Sequence, residues 1–291
     1  MIAYIYDVFA QANNRVTAKL DRMPTTHEEF LDLALIEALS DAVGPHVLPS
    51  SAVVDVEAHF IGGGWHWERW EIADLGVLVN FRIAGQLLRT KSILLQSKRL
   101  YPVEAEFVED RGLARRGGYG SLMAAPPFLA SAPRLFRFSE SCRYRALQVG
   151  DDQWRAILEY ETQYHIPVHY LLYHPHALPH EREIPVRLPL ARLPGDSALG
   201  AQVLAAVDLR ARVGGQARNH APSFSDVAGG TAAPGLRLQE FIRDEVLACK
   251  QGYVSEDPGT DEGLNRVFNQ RSGPIAAAIR FDINLPEALL Q

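Results

Sequence analysis

The stretch Ser92-Ile93-Leu94-Leu95-Gln96-Ser97-Lys98-Arg99-Leu100 joins two unlike patterns. Its first half is large and apolar, as in a buried strand, and it then runs into four consecutive polar residues. Side chains alternate across a strand, so Gln96 and Lys98 share one face while Leu95 and Ser97 share the other. Two further strand-like runs precede it, Ala52 to Phe60 and Trp70 to Phe81, with Gly62-Gly63-Gly64 and Ala84-Gly85-Gln86 as separators. Three runs so spaced predict an antiparallel meander. Asp74 lies in the middle run, on the opposite face from Glu71, so an acid, an amide and an amine are offered at one place.

The flanks extend this pattern. Phe30, Leu31, Ala34, Leu35, Ala38, Leu39 and Ala42 follow helical spacing, Gly44-Pro45 ends the run, and Thr26 with Glu29 fits a capping box; the spacing predicts a helix over 27–43. Residues 101–150 read as irregular. Asp151 to Tyr164 reads as a second helix capped by Asp151 or Asp152, and Val168 to Tyr173 as a fourth strand. The order α-β-β-β-α-β predicts an α/β core with a mixed central sheet. Residues 1–180 would form that core, with an Arg-rich insertion at about 101–150, and 181–291 a C-terminal extension or small second domain. Within that extension, 214–235 reads as a surface loop, Leu236 to Lys250 as an amphipathic helix and Ile275 to Ile283 as a last strand.

Composition narrows the classes of function. The chain has 291 residues, 47% of them hydrophobic, and a net charge of -6, so no global basic field would hold nucleic acid and any polyanion must find a local patch. Cys142 and Cys249 are too few for a disulfide framework or a four-cysteine zinc site, which points to a reducing compartment. No apolar run reaches membrane-spanning length, and the first residues lack the basic start of a signal peptide. A cytoplasmic protein without a membrane partner is expected. G-x-x-x-x-G-K-[ST], a strand-borne G-x-G-x-x-G and G-x-S-x-G are all absent, so an ATP-dependent step would need a partner protein supplying ATPase or sensing.

A carboxylate beside an amide oxygen is a hard-oxygen half-site suited to Mg²⁺ or Mn²⁺, which keeps waters and takes phosphate oxygens as well. Lys98 would orient the attacking water or bind the phosphate. Asp74 followed by Gln96-Ser97-Lys98, set within helix, meander, helix and strand, resembles the PD-(D/E)xK nuclease superfamily. In particular it resembles the Mrr-like restriction-endonuclease branch, in which Gln stands in the second acidic position after an apolar pair. The resemblance covers about half of the chain. Two departures are plain: Ala73 replaces the proline of the motif, and Gln96 removes a negative charge, so a helix carboxylate is more needed. The resemblance implies a restriction-endonuclease-like αβββαβ core and phosphodiester cleavage, most often of DNA and often in restriction or anti-phage defence. It further implies Asp74 and Gln96 as metal ligands, Lys98 as catalytic cation, and an auxiliary Glu from the first helix. Glu28, Glu29 and Glu37 are the choices, with Glu29 slightly ahead.

Other features bear on partners. Arg111, Arg115, Arg116, Arg134, Arg137, Arg143 and Arg145 stand against one acid, Glu140, and with Arg99 form a candidate nucleic-acid-binding set, interleaved with Tyr119, Phe136 and Tyr144 for stacking. The competing reading pairs these arginines with acids elsewhere on the surface. Trp65, Trp67 and Trp70 mark a hairpin that either wedges against bases or buries one of its faces. His165, His169, His174, His176 and His180 invite zinc, although Pro167 breaks helical spacing. Three functions are therefore weighed: a Mg²⁺- or Mn²⁺-dependent nuclease acting on double-stranded DNA, a non-catalytic nucleic-acid or partner-binding protein on a degenerate nuclease fold, and a zinc hydrolase built on the histidines. A homodimer would let two sites address two antiparallel strands.

Overall fold

A computed structural model describes residues 1–60, 72–104, 134–184, 197–268, 275 and 277–287. Helices α1 (Ile2–Arg22) and α2 (Glu28–Ser40) open the chain and pack together over the sheet. In α1, Ile5, Phe9, Ala12, Val16 and Leu20 recur at three- and four-residue spacing and are all buried, an apolar stripe that the sequence reading passed over. The predicted capping box on α2 does not form. The Thr26 N–H donates to Met23 O at 2.9 Å, and this turn moves the helix start so that His27 becomes the N-cap, without a side-chain bond.

The remaining elements are, in chain order, β1 (Gly44–Val47), β2 (Val53–Phe60), β3 (Leu75–Ile83), β4 (Gln86–Arg99), β5 (Val103–Glu104), β6 (Arg134–Phe138), α3 (Asp152–Tyr164), β7 (Val168–Tyr173), β8 (His180–Ile184), β9 (Ala201–Ala205), α4 (Ala206–Val213), α5 (Phe224–Ala228), β10 (Leu236–Arg237), α6 (Leu238–Glu240), a π-helical turn (Phe241–Val246), β11 (Tyr253–Ser255), α7 (Glu262–Phe268) and β12 (Ala277–Leu285). Asp151 caps α3 as predicted, accepting from Trp154 N at 2.8 Å. The β3–β4 hairpin turns on Ala84 and Gly85, both at positive φ, which is the geometry of a two-residue loop matched to strand twist.

A mixed nine-stranded sheet runs in the order β1-β2-β12-β3-β4-β7-β9-β10, with β11 also pairing β4, and helices flank it. A separate three-stranded sheet holds β5, β6 and β8. The expected meander is corrected at one point. β12 lies between β2 and β3, antiparallel to the first and parallel to the second, and buries Ala277, Ile279, Phe281 and Ile283 there. Residues beyond 181 thus supply β9 through β12 to the same sheet as the predicted core, and their apolar side chains join one buried cluster with it.

Two further expectations change. The loop foreseen at 214–235 contains α5, closed by a capping box between Ser223 and Asp226. The helix foreseen at 236–250 is instead a short strand, one helical turn and a π turn. Lys91 of β4 explains part of this, because its buried Nζ donates to Val246 O at 2.7 Å and supplies a partner from outside the helix. Among the described residues no helix is long and apolar enough to cross a membrane.

Candidate metal-binding active site

Strand β4 lies inside the sheet. Its last residues are buried whatever their polarity: Gln96 is 2% exposed, Ser97 0%, Lys98 3% and Arg99 0%. A solvated polar strand end is thereby excluded, and each of these groups needs a partner inside the protein. Asp74, immediately before β3, is held from both sides, since its N–H donates to Leu95 O at 2.9 Å and its carbonyl accepts from Ala277 N at 3.1 Å. Its carboxylate Oδ2 accepts the Ser97 N–H at 2.7 Å and a short bond from Gln96 Nε2. Sheet register therefore delivers Asp74 to Gln96.

Helix α2 brings the other carboxylates. Glu28 Oε1 lies 3.5 Å from Lys98 Nζ, with both side chains largely buried. One turn on, Asp32 Oδ1 accepts from Ser97 Oγ and from Tyr173 OH, each at 2.5 Å. Burial raises the Asp74 pKa, the Lys98 ammonium opposes it and Glu28 adds to it, leaving Asp74 at about 6. Asp32 is pushed well above the carboxylate range, by burial first and by the Asp74 charge second. Burial beside Asp32 likewise raises the Tyr173 phenol.

Two acceptors in this cluster are buried with no hydrogen-bond partner, Gln96 Oε1 and Glu28 Oε2. Together with Asp74 they offer hard oxygens in a site where acids outnumber the one ammonium. That donor set fits Mg²⁺ or Mn²⁺. The carboxylates do not form a closed cage: among the described residues, the group of three His, Cys, Asp or Glu ligand atoms within 4.8 Å of one another is Asp21, His176 and His180. An open arrangement suits a cation that keeps several waters.

Asp74, Gln96 and Lys98 are thus brought together. The helix carboxylate that reaches Lys98 is Glu28; Glu29, favoured on sequence, is exposed and acts on Asp74 only through its charge, and Glu37 is exposed as well. Asp32, Ser97 and Tyr173 were missed, although Asp32 follows Glu28 by four residues, one helical turn. Arg99 is no surface cation. Its guanidinium donates to Pro24 O at 2.7 Å and lies 4.0 Å from the Tyr101 ring centre, and burial lowers its pKa to about 10. Arg134 pairs with Glu104 and Arg137 with Glu181, while Arg143 donates to Ala221 O at 2.6 Å. Arg145 is exposed, 5.4 Å above Tyr101. Arg111, Arg115, Arg116 and the hairpin expected at Trp65 to Trp70 fall outside the described residues.

The histidines separate. His165 is an exposed left-handed cap of α3. His169 and His174 are buried in different surroundings, where burial lowers them to about 4 and about 3 and keeps them neutral. His174 is bonded to Tyr144 OH and to Gly200 O. Only His176 and His180 meet, with ring centres 4.7 Å apart, so a zinc centre using His169 and His174 is not assembled. No family model, no curated protein and no solved structure matches this chain.

Proposed function

We propose that this protein is a divalent-metal-dependent nuclease of PD-(D/E)xK type, with a restriction-endonuclease-like core, that hydrolyses phosphodiester bonds in double-stranded DNA. The observation carrying this reading is the convergence of Asp74, Gln96, Lys98 and Glu28, with Gln96 Oε1 and Glu28 Oε2 left buried and unpartnered. A cluster of that kind costs folding stability and is characteristic of a working site.

Asp74, Gln96 and Glu28 would hold Mg²⁺ or Mn²⁺ through their side-chain oxygens. When bound, the cation supplies Lewis-acid stabilisation of the phosphoryl oxygens and lowers the pKa of the attacking water. Lys98 is anchored by Glu28 and so presents its ammonium in a fixed place, to bind a phosphate oxygen or orient water. Ser97 and Tyr173 hold Asp32, and Ser97 N–H with Gln96 Nε2 holds Asp74, so the carboxylates need little rearrangement before reaction. The exposed Arg145, stacked on Tyr101 beside the buried Arg99, supports a phosphate-backbone approach on this side, and Tyr101 itself feels the charges of Glu28 and Lys98.

The test is cleavage of plasmid and linear duplex DNA, with single-stranded DNA and RNA in parallel, by wild type and Lys98→Ala in Mg²⁺, Mn²⁺ or EDTA. Cleavage by wild type that needs metal and is lost in the variant is expected. Binding of DNA without turnover in any metal would replace this reading by a degenerate, binding-only nuclease fold, and equal cleavage by both proteins would remove Lys98 from the site.

A further inference from the structure

A second cluster lies outside this site. Asp21, in the last turn of α1, His176, in the connection between β7 and β8, and His180, the first residue of β8, present ligand atoms that all lie within 4.8 Å of one another. Elements far apart in sequence meet there. The His180 Nε2 contacts Asp21 Oδ1 at 2.6 Å, and Arg182 takes the other carboxylate oxygen while its Nε donates to Asp21 O at 3.0 Å. The Nδ1 of His176 is buried with no hydrogen-bond partner, and a nitrogen of this ring lies within 4.8 Å of the Asp21 carboxylate and of the second imidazole.

We infer that Asp21, His176 and His180 form a second metal site, distinct from the Asp74 cluster, that takes a borderline transition-metal ion of the Zn²⁺ class through two imidazole nitrogens and one carboxylate oxygen. Two nitrogens and one oxygen suit Zn²⁺ and leave a fourth tetrahedral position for water. Arg182 neutralises Asp21, so the cluster lacks the anionic oxygens that Mg²⁺ or Ca²⁺ requires. The same guanidinium holds the carboxylate with Oδ1 turned to the imidazoles, the kind of outer contact that fixes a ligand. The C-terminal end of α1 adds a favourable dipole for a cation. In the metal-bound form the neutral imidazole of His180 would carry its proton on Nδ1, leaving the Nε2 lone pair for the ion in place of the contact with Asp21. The ion would tie the end of α1 to the small β5-β6-β8 sheet.

The experiment uses the full chain, stripped with a chelator and titrated with Co²⁺ and with Zn²⁺. In excess Mg²⁺, which fills the Asp74 cluster, wild type is expected to take up one equivalent of Co²⁺ with visible ligand-field bands, which Zn²⁺ displaces, and to melt at a higher temperature with added Zn²⁺ than in Mg²⁺ alone. His176→Ala carries the decision, because this partly buried ring leaves its Nδ1 unbonded and its removal spares the Asp21–His180 pair. The variant should match wild type in EDTA but lose the bands and the Zn²⁺ shift, as should His180→Ala, while Asp74→Asn keeps both. Absence of uptake by wild type, unchanged bands in His176→Ala, or their loss in Asp74→Asn would overturn the proposal.

Discussion

Two buried polar clusters in this protein obey opposite rules. In the middle of α1, Asn13 Nδ2 donates to Gln239 Oε1 at 2.8 Å and to Ala201 O at 3.3 Å, its Oδ1 accepts from Ala201 N at 2.8 Å, and Thr17 Oγ1 donates to Asn13 O at 2.8 Å. No charge is present, and Gly200, at φ +120°, makes room, since a Cβ there would come 2.6 Å from Asn13 Oδ1. At the end of β4, by contrast, acids press on one another and two acceptors remain unbonded. The first cluster is complete as the chain folds and serves stability. The second leaves acceptors that, on the proposed reading, a cation and a substrate would complete, and that difference marks it as the candidate site more surely than polarity or burial alone.

The comparison yields predictions that decline in size. Lys98→Ala should reduce metal-dependent cleavage by about 10²–10³-fold or more, because it removes the charge proposed to meet the reacting phosphate, and it should also lower the melting temperature, because it leaves the largely buried Glu28 without its partner; a small loss measured in single-turnover cleavage would break the contrast. Asn13→Ala should do the reverse, costing about 2–4 kcal/mol in denaturant unfolding while leaving cleavage per folded molecule intact, because it orphans buried backbone and amide groups.

Asp74→Asn should abolish cleavage and yet stabilise the metal-free protein, by something on the order of 1–2 kcal/mol near pH 8. The sign follows from a folded pKa of about 6 against an ordinary 3.8: wild type holds its proton more tightly when folded, so its stability falls as pH rises through this range. The advantage of the variant should therefore close towards about pH 4, which thermal melts in EDTA would reveal. By the same titration, wild-type cleavage should decline as pH falls through about 6. Smallest of all should be Glu29→Gln, changing cleavage by no more than about threefold through its exposed charge. Glu28→Gln should cost far more, because Glu28 holds Lys98.

How much of this was legible in the sequence follows from range. Local signals held where local physics decides: α2, Asp151 capping α3, β7, and the Ala84-Gly85 turn. The alternation along β4 and an acid about a strand's length away placed Asp74 with Gln96, because antiparallel register makes that pairing nearly local. Long-range choices were not legible. Nothing in residues 275–283 says that they insert between β2 and β3 rather than extend an edge, and the choice between Glu28 and Glu29 depends on the docking of α2. In the arginine-rich stretch two readings stayed open for a related reason, since a count of charges does not reveal that Arg134 and Arg137 face Glu104 and Glu181, nor does it show that Arg99, before that stretch, lies inside. Asp21 was invisible as a partner of the histidines because α1 itself had not been recognised.

The most direct test of the central claim, that the β4 cluster is completed by a divalent cation, is Mn²⁺ binding followed by electron paramagnetic resonance near pH 7.5 in a His176→Ala background, which removes the second proposed site. The account predicts that Mn²⁺ binds, that Mg²⁺ competes for the same place, and that Asp74→Asn and Glu28→Gln each weaken binding strongly while Asn13→Ala does not. Absence of Mn²⁺ binding, or binding indifferent to Asp74 and Glu28, would contradict it.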